Sequence, residues 1–188
     1  MTDTVDELVQ AERLSEAAEL CAKEHDFGRA CLLFERACMW DRAASCALDA
    51  GNAGRALELA ILGKNELISD MAFASVSADE ANAKRCAERL VARGDHGWAA
   101  RLFEAAHQTR DAAMAWARAG NAPRAAQLFD ENKEPAEAAR VLEAALRKSA
   151  VDYASAVALG TLLVRYGKLE GAVRALQMVP RTASSSFP

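Results

Sequence analysis

The sequence predicts an all-α fold, a right-handed α-solenoid of antiparallel helix pairs in which each helix with its turn takes thirteen residues. Three observations predict it: an alanine recurs at this spacing, the apolar positions within each unit have helical spacing, and turn-forming residues separate the units. A fixed short period indicates stacked units rather than one irregular core. The recurring alanines are Ala17, Ala30, Ala43 and Ala56, followed by Ala99, Ala112, Ala125 and Ala138.

The units fall into two blocks, 12–63 and 94–145. Residues 25–60 align with 94–129 at an offset of 69, with sixteen identities in thirty-six positions. An alanine-rich composition alone would produce only a few such matches, so the alignment indicates an internal duplication. The shared positions include Leu33-Phe34-Glu35 with Leu102-Phe103-Glu104, and Gly51-Asn52-Ala53 with Gly120-Asn121-Ala122.

Each unit is predicted to be one helix of about ten residues, because its small and apolar positions lie on one helical stripe. Such a helix is marginal alone and depends on its neighbours. We therefore expect the repeated alanines, Phe34 and Phe103 to be buried. Turns are expected near residues 25, 38, 51, 94, 107, 120 and 133. The expected C-terminal caps are Gly51, Gly94, Gly120 and Gly167, the expected N-caps are Asn52, Asp95 and Asn121, and Pro123 and Pro135 fit first turns.

Two stretches depart from the period. Over 64–93 we expect a helix at 65–75, then a capping box of Ser77 and Glu80 that opens a longer helix to Arg93. Over 146–166 we expect another long helix. Its apolar side would carry Val157, Leu159, Leu162, Leu163 and Tyr166.

The predicted domain organisation is a helical-repeat domain at 1–179, in which 64–93 is an irregular connector and 146–179 holds C-terminal helices, the last at 168–178. The serine-rich segment 180–188 has no apolar period and is interpreted as a flexible tail or linker.

Ala30, Phe34 and Ala37, and again Ala99, Phe103 and Ala106, resemble the second-helix pattern of tetratricopeptide repeats: alanine, three residues, phenylalanine, two residues, alanine. The thirteen-residue period and the pattern Gly-Asn-x-x-Arg-Ala-x-x-Leu are similar to the helical tails of intraflagellar-transport and vesicle-coat proteins. This resemblance implies a two-layer solenoid that serves as a protein-binding scaffold, and it transfers no catalytic residue.

The composition of the chain disfavours several classes of binding partner. The chain carries 23 basic and 27 acidic residues, a net charge of −4, and no run of five like charges, which argues against binding nucleic acid or an acidic membrane surface. No apolar stretch is long enough for membrane insertion. The five cysteines are expected to act mainly as small buried hydrophobes, and their odd number favours a cytoplasmic location: Cys21, Cys31, Cys38, Cys46 and Cys86.

Catalytic chemistry has little support in this sequence. His25, His96 and His107 all lie at unit starts, where an imidazole can pair with the last carbonyls of the preceding helix. Cys21 and His25 share a helical face, but no second pair completes a metal site. There is no phosphate-binding glycine motif. We therefore predict a protein that is not an enzyme and that needs no cofactor and no metal.

Two sets of residues are candidate partner contacts. Arg29, Arg42, Arg55 and Arg124 share one register and form either a solvated stripe paired with carboxylates such as Glu58 or Asp49, or a ladder that reads an acidic or C-terminal segment. Leu32, Trp98 and Met114 are apolar where the repeat is normally polar. Trp98 either covers the long helix before it or contacts a partner, since tryptophan is enriched in binding hot spots.

The predicted function is a non-catalytic scaffold that binds another protein or a peptide segment; the oligomeric state stays open. One alternative is the N-terminal regulatory or docking arm of a larger signalling protein, suggested by the serine-rich end and the lack of a polar terminal cap. A small enzyme or ligand-binding helical domain is a further alternative. An enclosed pocket lined by histidine and carboxylate would support that alternative, whereas a continuous open groove favours the scaffold.

Overall fold

A computed structural model describes residues 4–149 and 151–178 of the chain. Within these ranges every regular element is an α-helix, and consecutive helices pack against each other, which confirms the all-α solenoid class. The handedness of the stack stays a prediction. The thirteen helices of these ranges are α1 (Val5–Gln10), α2 (Leu14–Lys23), α3 (Phe27–Arg36), α4 (Trp40–Asp49), α5 (Ala53–Gly63), α6 (Glu66–Ser77), α7 (Glu80–Arg93), α8 (His96–Ala105), α9 (Thr109–Arg118), α10 (Ala122–Glu131), α11 (Pro135–Lys148), α12 (Tyr153–Arg165) and α13 (Leu169–Leu176).

The helices belong to two compact units, Met1–Cys86 and Ala87–Pro188, and the boundary falls within α7. In the first unit, each helix from α1 to α6 contacts the next, and in the second the same holds from α8 to α13. Helices two apart also touch, as α4 does with α6 and α10 with α12. Each unit is therefore a stack in which odd-numbered and even-numbered helices form two rows.

A left-handed residue ends ten of the described helices, with φ between 53° and 88°. The N–H of the next residue bonds a carbonyl five positions back, as Asn52 does with Ala47 at 2.8 Å, which completes a Schellman motif. The residue that donates this N–H is also the N-cap of the following helix, and the turn takes three residues in eight of these ten cases and two residues after α5 and after α7. The turns predicted at 25, 38, 51, 94, 107, 120 and 133 are confirmed; the left-handed residues are Glu12, His25, Cys38, Gly51, Lys64, Gly94, His107, Gly120, Lys133 and Gly167.

The predicted caps are mostly confirmed. The side chain of Asn52 accepts the N–H of Arg55 at 3.1 Å, and that of Asn121 accepts the N–H of Arg124 at 3.3 Å. Asp95 is an N-cap by position, but the prediction that its carboxylate caps the helix is wrong. That carboxylate lies 3.5 Å from Arg93 instead. Pro123 and Pro135 occupy first turns as expected.

The capping box predicted for Ser77 and Glu80 is wrong. Ser77 is the last residue of α6, where its hydroxyl donates to the carbonyl of Ala74 at 3.2 Å. The carboxylate of Asp79 caps α7 instead, because it accepts the N–H of Asn82 at 3.0 Å. A single turn around Asp79 thus separates the two helices.

The long helix predicted for 146–166 is also wrong. Good helix formers follow Leu146, the position at which the period would place a turn, so α11 continues to Lys148 and α12 begins at Tyr153. On α12, Leu159 and Leu162 are buried as predicted, whereas Val157 is 45% exposed. Tyr166, also predicted to lie on the apolar side, is 47% exposed and follows the last residue of α12, so this part of the prediction is wrong.

The core is built from small side chains. All eight recurring alanines are fully buried, and Phe34 and Phe103 are almost fully buried. This burial confirms the predicted register of the repeat. Close approach also explains Gly160, since a Cβ there would lie 2.6 Å from Leu176 of α13. The segment 180–188, interpreted as a tail or linker, lies outside the described residues.

Candidate functional site

Each of the four candidate arginines lies four residues after the left-handed residue that precedes its helix. We call this place in the thirteen-residue repeat the arginine position. Each guanidinium bonds a carboxylate on the helix two before it, an arrangement we call an alternate-helix ion pair. The pairs are Arg29 with Asp6, Arg42 with Glu19 at 2.7 Å, Arg55 with Glu35, and Arg124 with Glu104.

Two of these ion pairs are copies of each other. In the first unit, Nε of Arg55 donates to Oε1 of Glu35 at 2.9 Å and the terminal nitrogen donates to the other oxygen. In the second unit, Arg124 meets Glu104 in the same two-pronged way, with the Nε contact at 3.3 Å. Arg124 lies 69 residues after Arg55, and Glu104 lies 69 residues after Glu35, which is the offset that relates the two blocks. The planar guanidinium fork matches a carboxylate, which favours arginine over lysine here.

The pairing with arginine lowers the pKa values of the two carboxylates. Hydrogen bonds from Arg55 lower the pKa of Glu35. Burial alone would raise the pKa of Glu104, but hydrogen bonds from Arg124 and Trp116 bring it below its usual value. Nearby, burial and a hydrogen bond to Glu35 raise the pKa of the Cys31 thiol to about 12, so this thiol is a structural group rather than a nucleophile.

The arginines share a register but not a single surface. Arg29 and Arg55 connect the odd-numbered row, α1 to α3 to α5, whereas Arg42 connects α2 to α4. Arg42 also stacks its guanidinium 4.5 Å above the ring of Phe34. The expected pairing of this stripe with Glu58 exists for Arg55, at 2.9 Å, but the alternate-helix carboxylates were not foreseen.

Two of the four acidic partners, together with Asp130, follow a rule that the sequence pattern did not reveal to us. Glu35, Glu104 and Asp130 each lie ten residues after a left-handed residue, which we call the acidic position. The carboxylate of Asp130 pairs with Arg165 and accepts a hydrogen bond from the hydroxyl of Tyr166 at 2.7 Å. Both residues lie at the C-terminal end of α12. The duplication contained the signal, because both copies keep Leu-Phe-Glu and an arginine twenty residues later.

The three apolar candidates lie in different surroundings. Trp98 occupies the arginine position of α8 and is half-buried, with the guanidinium of Arg101 4.2 Å above its ring. Leu32 is 62% exposed beside a cleft of about 430 Å³ that Val9 also lines. Met114, on α9, is 38% exposed. Leu32 belongs to the first unit, and the other two belong to the second.

Exposed apolar side chains are more numerous at the end of the second unit. Within the described part of α8–α11, Met114 is the one large hydrophobic residue that is exposed, whereas α12 and α13 expose six. On α13 three of them follow helical spacing and form one stripe. That spacing could have been recognised in the sequence. We call these residues the α12–α13 surface: Tyr153, Val157, Val164, Leu169, Val173 and Leu176.

Two of the three histidines occupy turns. His25 and His107 are themselves left-handed residues, and their backbone N–H groups bond the carbonyls of Ala22 at 3.1 Å and Glu104 at 3.0 Å. Whether their imidazoles pair with helix carbonyls stays a prediction. Across residues 4–149 and 151–178, no three side chains of the metal-binding types converge, and no helix combines the length and apolar character of a membrane span.

No family model matches the chain, and no curated protein matches it.

Proposed function

We propose that the chain is a non-catalytic scaffold of the tetratricopeptide-like type that binds another protein or a peptide segment. The α12–α13 surface carries this proposal. Side chains such as Leu169, 63% exposed, and Val173, 53% exposed, share one face of α13 at the end of the second unit, where the described part of α8–α11 exposes one large hydrophobic residue, Met114. Concentrated exposed apolar residues in a globular protein mark interaction sites.

Three further side chains are proposed as secondary contacts: Leu32, Trp98 and Met114. The arginine-position residues are weaker candidates, because their guanidinium groups already bond carboxylates within the chain. They remain 36–46% exposed, so a partner could still touch Arg29, Arg42, Arg55 and Arg124.

We further propose a cytoplasmic location. All five cysteines lie in the described part of the chain as free thiols, and four of them are buried. Free buried thiols suit a reducing compartment.

Site-specific photocross-linking tests the scaffold proposal. A benzophenone amino acid placed in the full chain at Leu169 or Val173 should form adducts with a distinct protein in the cells of origin. The same group at Arg147, an exposed polar position of α11, should not form them. The purified partner should then bind the chain in calorimetry, and Val173→Ser should weaken that binding. Identical adducts from all three positions, or none from α13, would refute the proposal.

A further inference from the structure

One acidic position departs from the pattern of alternate-helix ion pairs. Glu143 lies on α11 ten residues after Lys133, as Glu35 does after His25 and Glu104 after Gly94. Within the described residues those two carboxylates, and Asp130, bond a side chain two helices further along, whereas Glu143 makes no hydrogen bond and no ion pair.

The missing partner has a simple cause in the sequence. The helix two beyond α11 is α13, and its arginine position, four residues after Gly167, holds Gly171. Glycine offers neither the charge nor the bulk of arginine. The carboxylate of the pair is thus present and the guanidinium is not.

Glu143 and Gly171 both line one groove of about 880 Å³. Glu143 and Ala139 of α11 line one side, and Gly171 and Arg174 of α13 line the other. Leu159 and Leu163 of α12 also line it.

The charges of the groove differ between its two sides. Glu143 is the charged residue of the α11 side, while α13 and its N-cap contribute both signs through Lys168, Glu170 and Arg174. Arg174 makes no direct ion pair with Glu143 in the described part of the chain, and its Nε donates to the carbonyl of Glu170 on its own helix at 3.5 Å. The α11 side therefore suits a cation, and the leucines suit apolar groups.

We propose that this groove binds a peptide segment of another protein whose arginine pairs with Glu143 while adjacent apolar side chains cover Leu159 and Leu163. The segment would supply in trans the guanidinium that Arg55 and Arg124 supply in cis. This proposal rests on the scaffold function and names the chemistry of its partner.

The chain itself provides the probe. A fluorescein-labelled peptide of residues 121–132 contains Arg124, which pairs with Glu104 in the intact protein, and the matched control peptide carries Arg124→Gln. Anisotropy titrations with the full chain should show binding of the arginine peptide. We expect Glu143→Gln to weaken it at least about fivefold, and the Gln peptide to be insensitive to that substitution.

Two further variants sharpen the test. Glu170→Gln removes a carboxylate from the opposite side of the same groove and should change affinity less than about twofold. Glu143→Arg should abolish binding of the arginine peptide and restore binding of an Arg124→Glu peptide. Raising the salt concentration from about 50 to about 300 mM should weaken binding of the arginine peptide to the unsubstituted chain. The same change should have a smaller effect on binding of the Gln peptide to the Glu143→Gln variant.

Several results would overturn the proposal: no binding of the arginine peptide at millimolar concentration, equal effects of Glu143→Gln and Glu170→Gln, binding that appears only after removal of residues 179–188, or self-association of the chain through this groove in sedimentation experiments. The first two leave the scaffold proposal intact, because the cross-links from Leu169 and Val173 test it separately.

Discussion

At the scale of single residues, the arginine position explains why a repeat built from alanine keeps a charged side chain in register. Alanine lets helices approach but offers little specific contact between helices two apart. The forked pairing of Arg55 with Glu35 supplies that contact on a carboxylate that is only 16% exposed. Partial burial and two-point geometry make such a pair stronger than an ordinary surface ion pair.

We expect Arg55→Ala and Arg124→Ala each to destabilise the chain by about 1–2 kcal/mol, since each removes the guanidinium that pairs with a half-buried carboxylate. Urea denaturation measures the effect. Arg85→Ala on the exposed side of α7 is the matched control and should cost about 0.5 kcal/mol or less. A double-mutant cycle of Arg55 and Glu35 that shows no coupling would contradict the structural role of the pair.

The same carboxylates predict a loss of stability in acid. Because the pKa values of Glu35 and Glu104 are lower in the folded chain than in the unfolded chain, their contribution is complete above the unfolded pKa and declines as the pH falls through the folded pKa. Stability should therefore drop below about pH 4.5. The variant with both residues changed to Gln should start less stable but lose less between about pH 6 and pH 3. Parallel curves would refute this.

At the scale of elements, the turn sets the period. A ten-residue helix followed by three linker residues gives thirteen, because the residue that closes one helix also caps the next. The left-handed residue is the demanding position of this turn. Glycine adopts that conformation easily, whereas lysine, histidine and cysteine adopt it at a cost.

Exchanging residues at the left-handed positions should change stability in opposite directions. Gly120→Ala should cost about 1 kcal/mol although nothing lies near the new Cβ, and Lys133→Gly should stabilise by about 0.5 kcal/mol. Gly97→Ala, in the first turn of α8 with equally open space, is the control and should be neutral or stabilising. Thermal melts would show this order, and a destabilising Lys133→Gly would contradict the argument.

At the scale of the molecule, a stack depends on contacts between neighbours, so damage in one place is expected to stay local. The two units provide a test, because the equivalent residues Phe34 and Phe103 are buried one in each. Each Phe→Ala change should cost about 3–5 kcal/mol.

We expect Phe34→Ala to raise amide hydrogen exchange mainly within α1–α6, and Phe103→Ala to raise it mainly within α8–α13. Mass spectrometry of peptic fragments resolves the two. If both changes raised exchange equally along the whole chain, the molecule would unfold as one cooperative body and the expectation would be wrong.

The sequence by itself determined the features that depend on local chemistry. Helical spacing, left-handed glycines and capping asparagines act over a few residues, so the period, the turns and the burial of the alanines and phenylalanines could be predicted. Prediction failed where the period stopped, at Ser77 and at Leu146, because several nearby residues there could cap or continue a helix equally well.

Only the tertiary structure decided which side chains meet across the stack. Arg55 and Glu35 are twenty residues apart, and their contact depends on how helices two apart are spaced. The same holds for Glu143, whose lack of a partner follows from a glycine on α13, and for Val157, whose exposure depends on what packs against α12. A helical pattern places a residue on a face of its own helix, but only the packing of the other helices determines whether that face is covered.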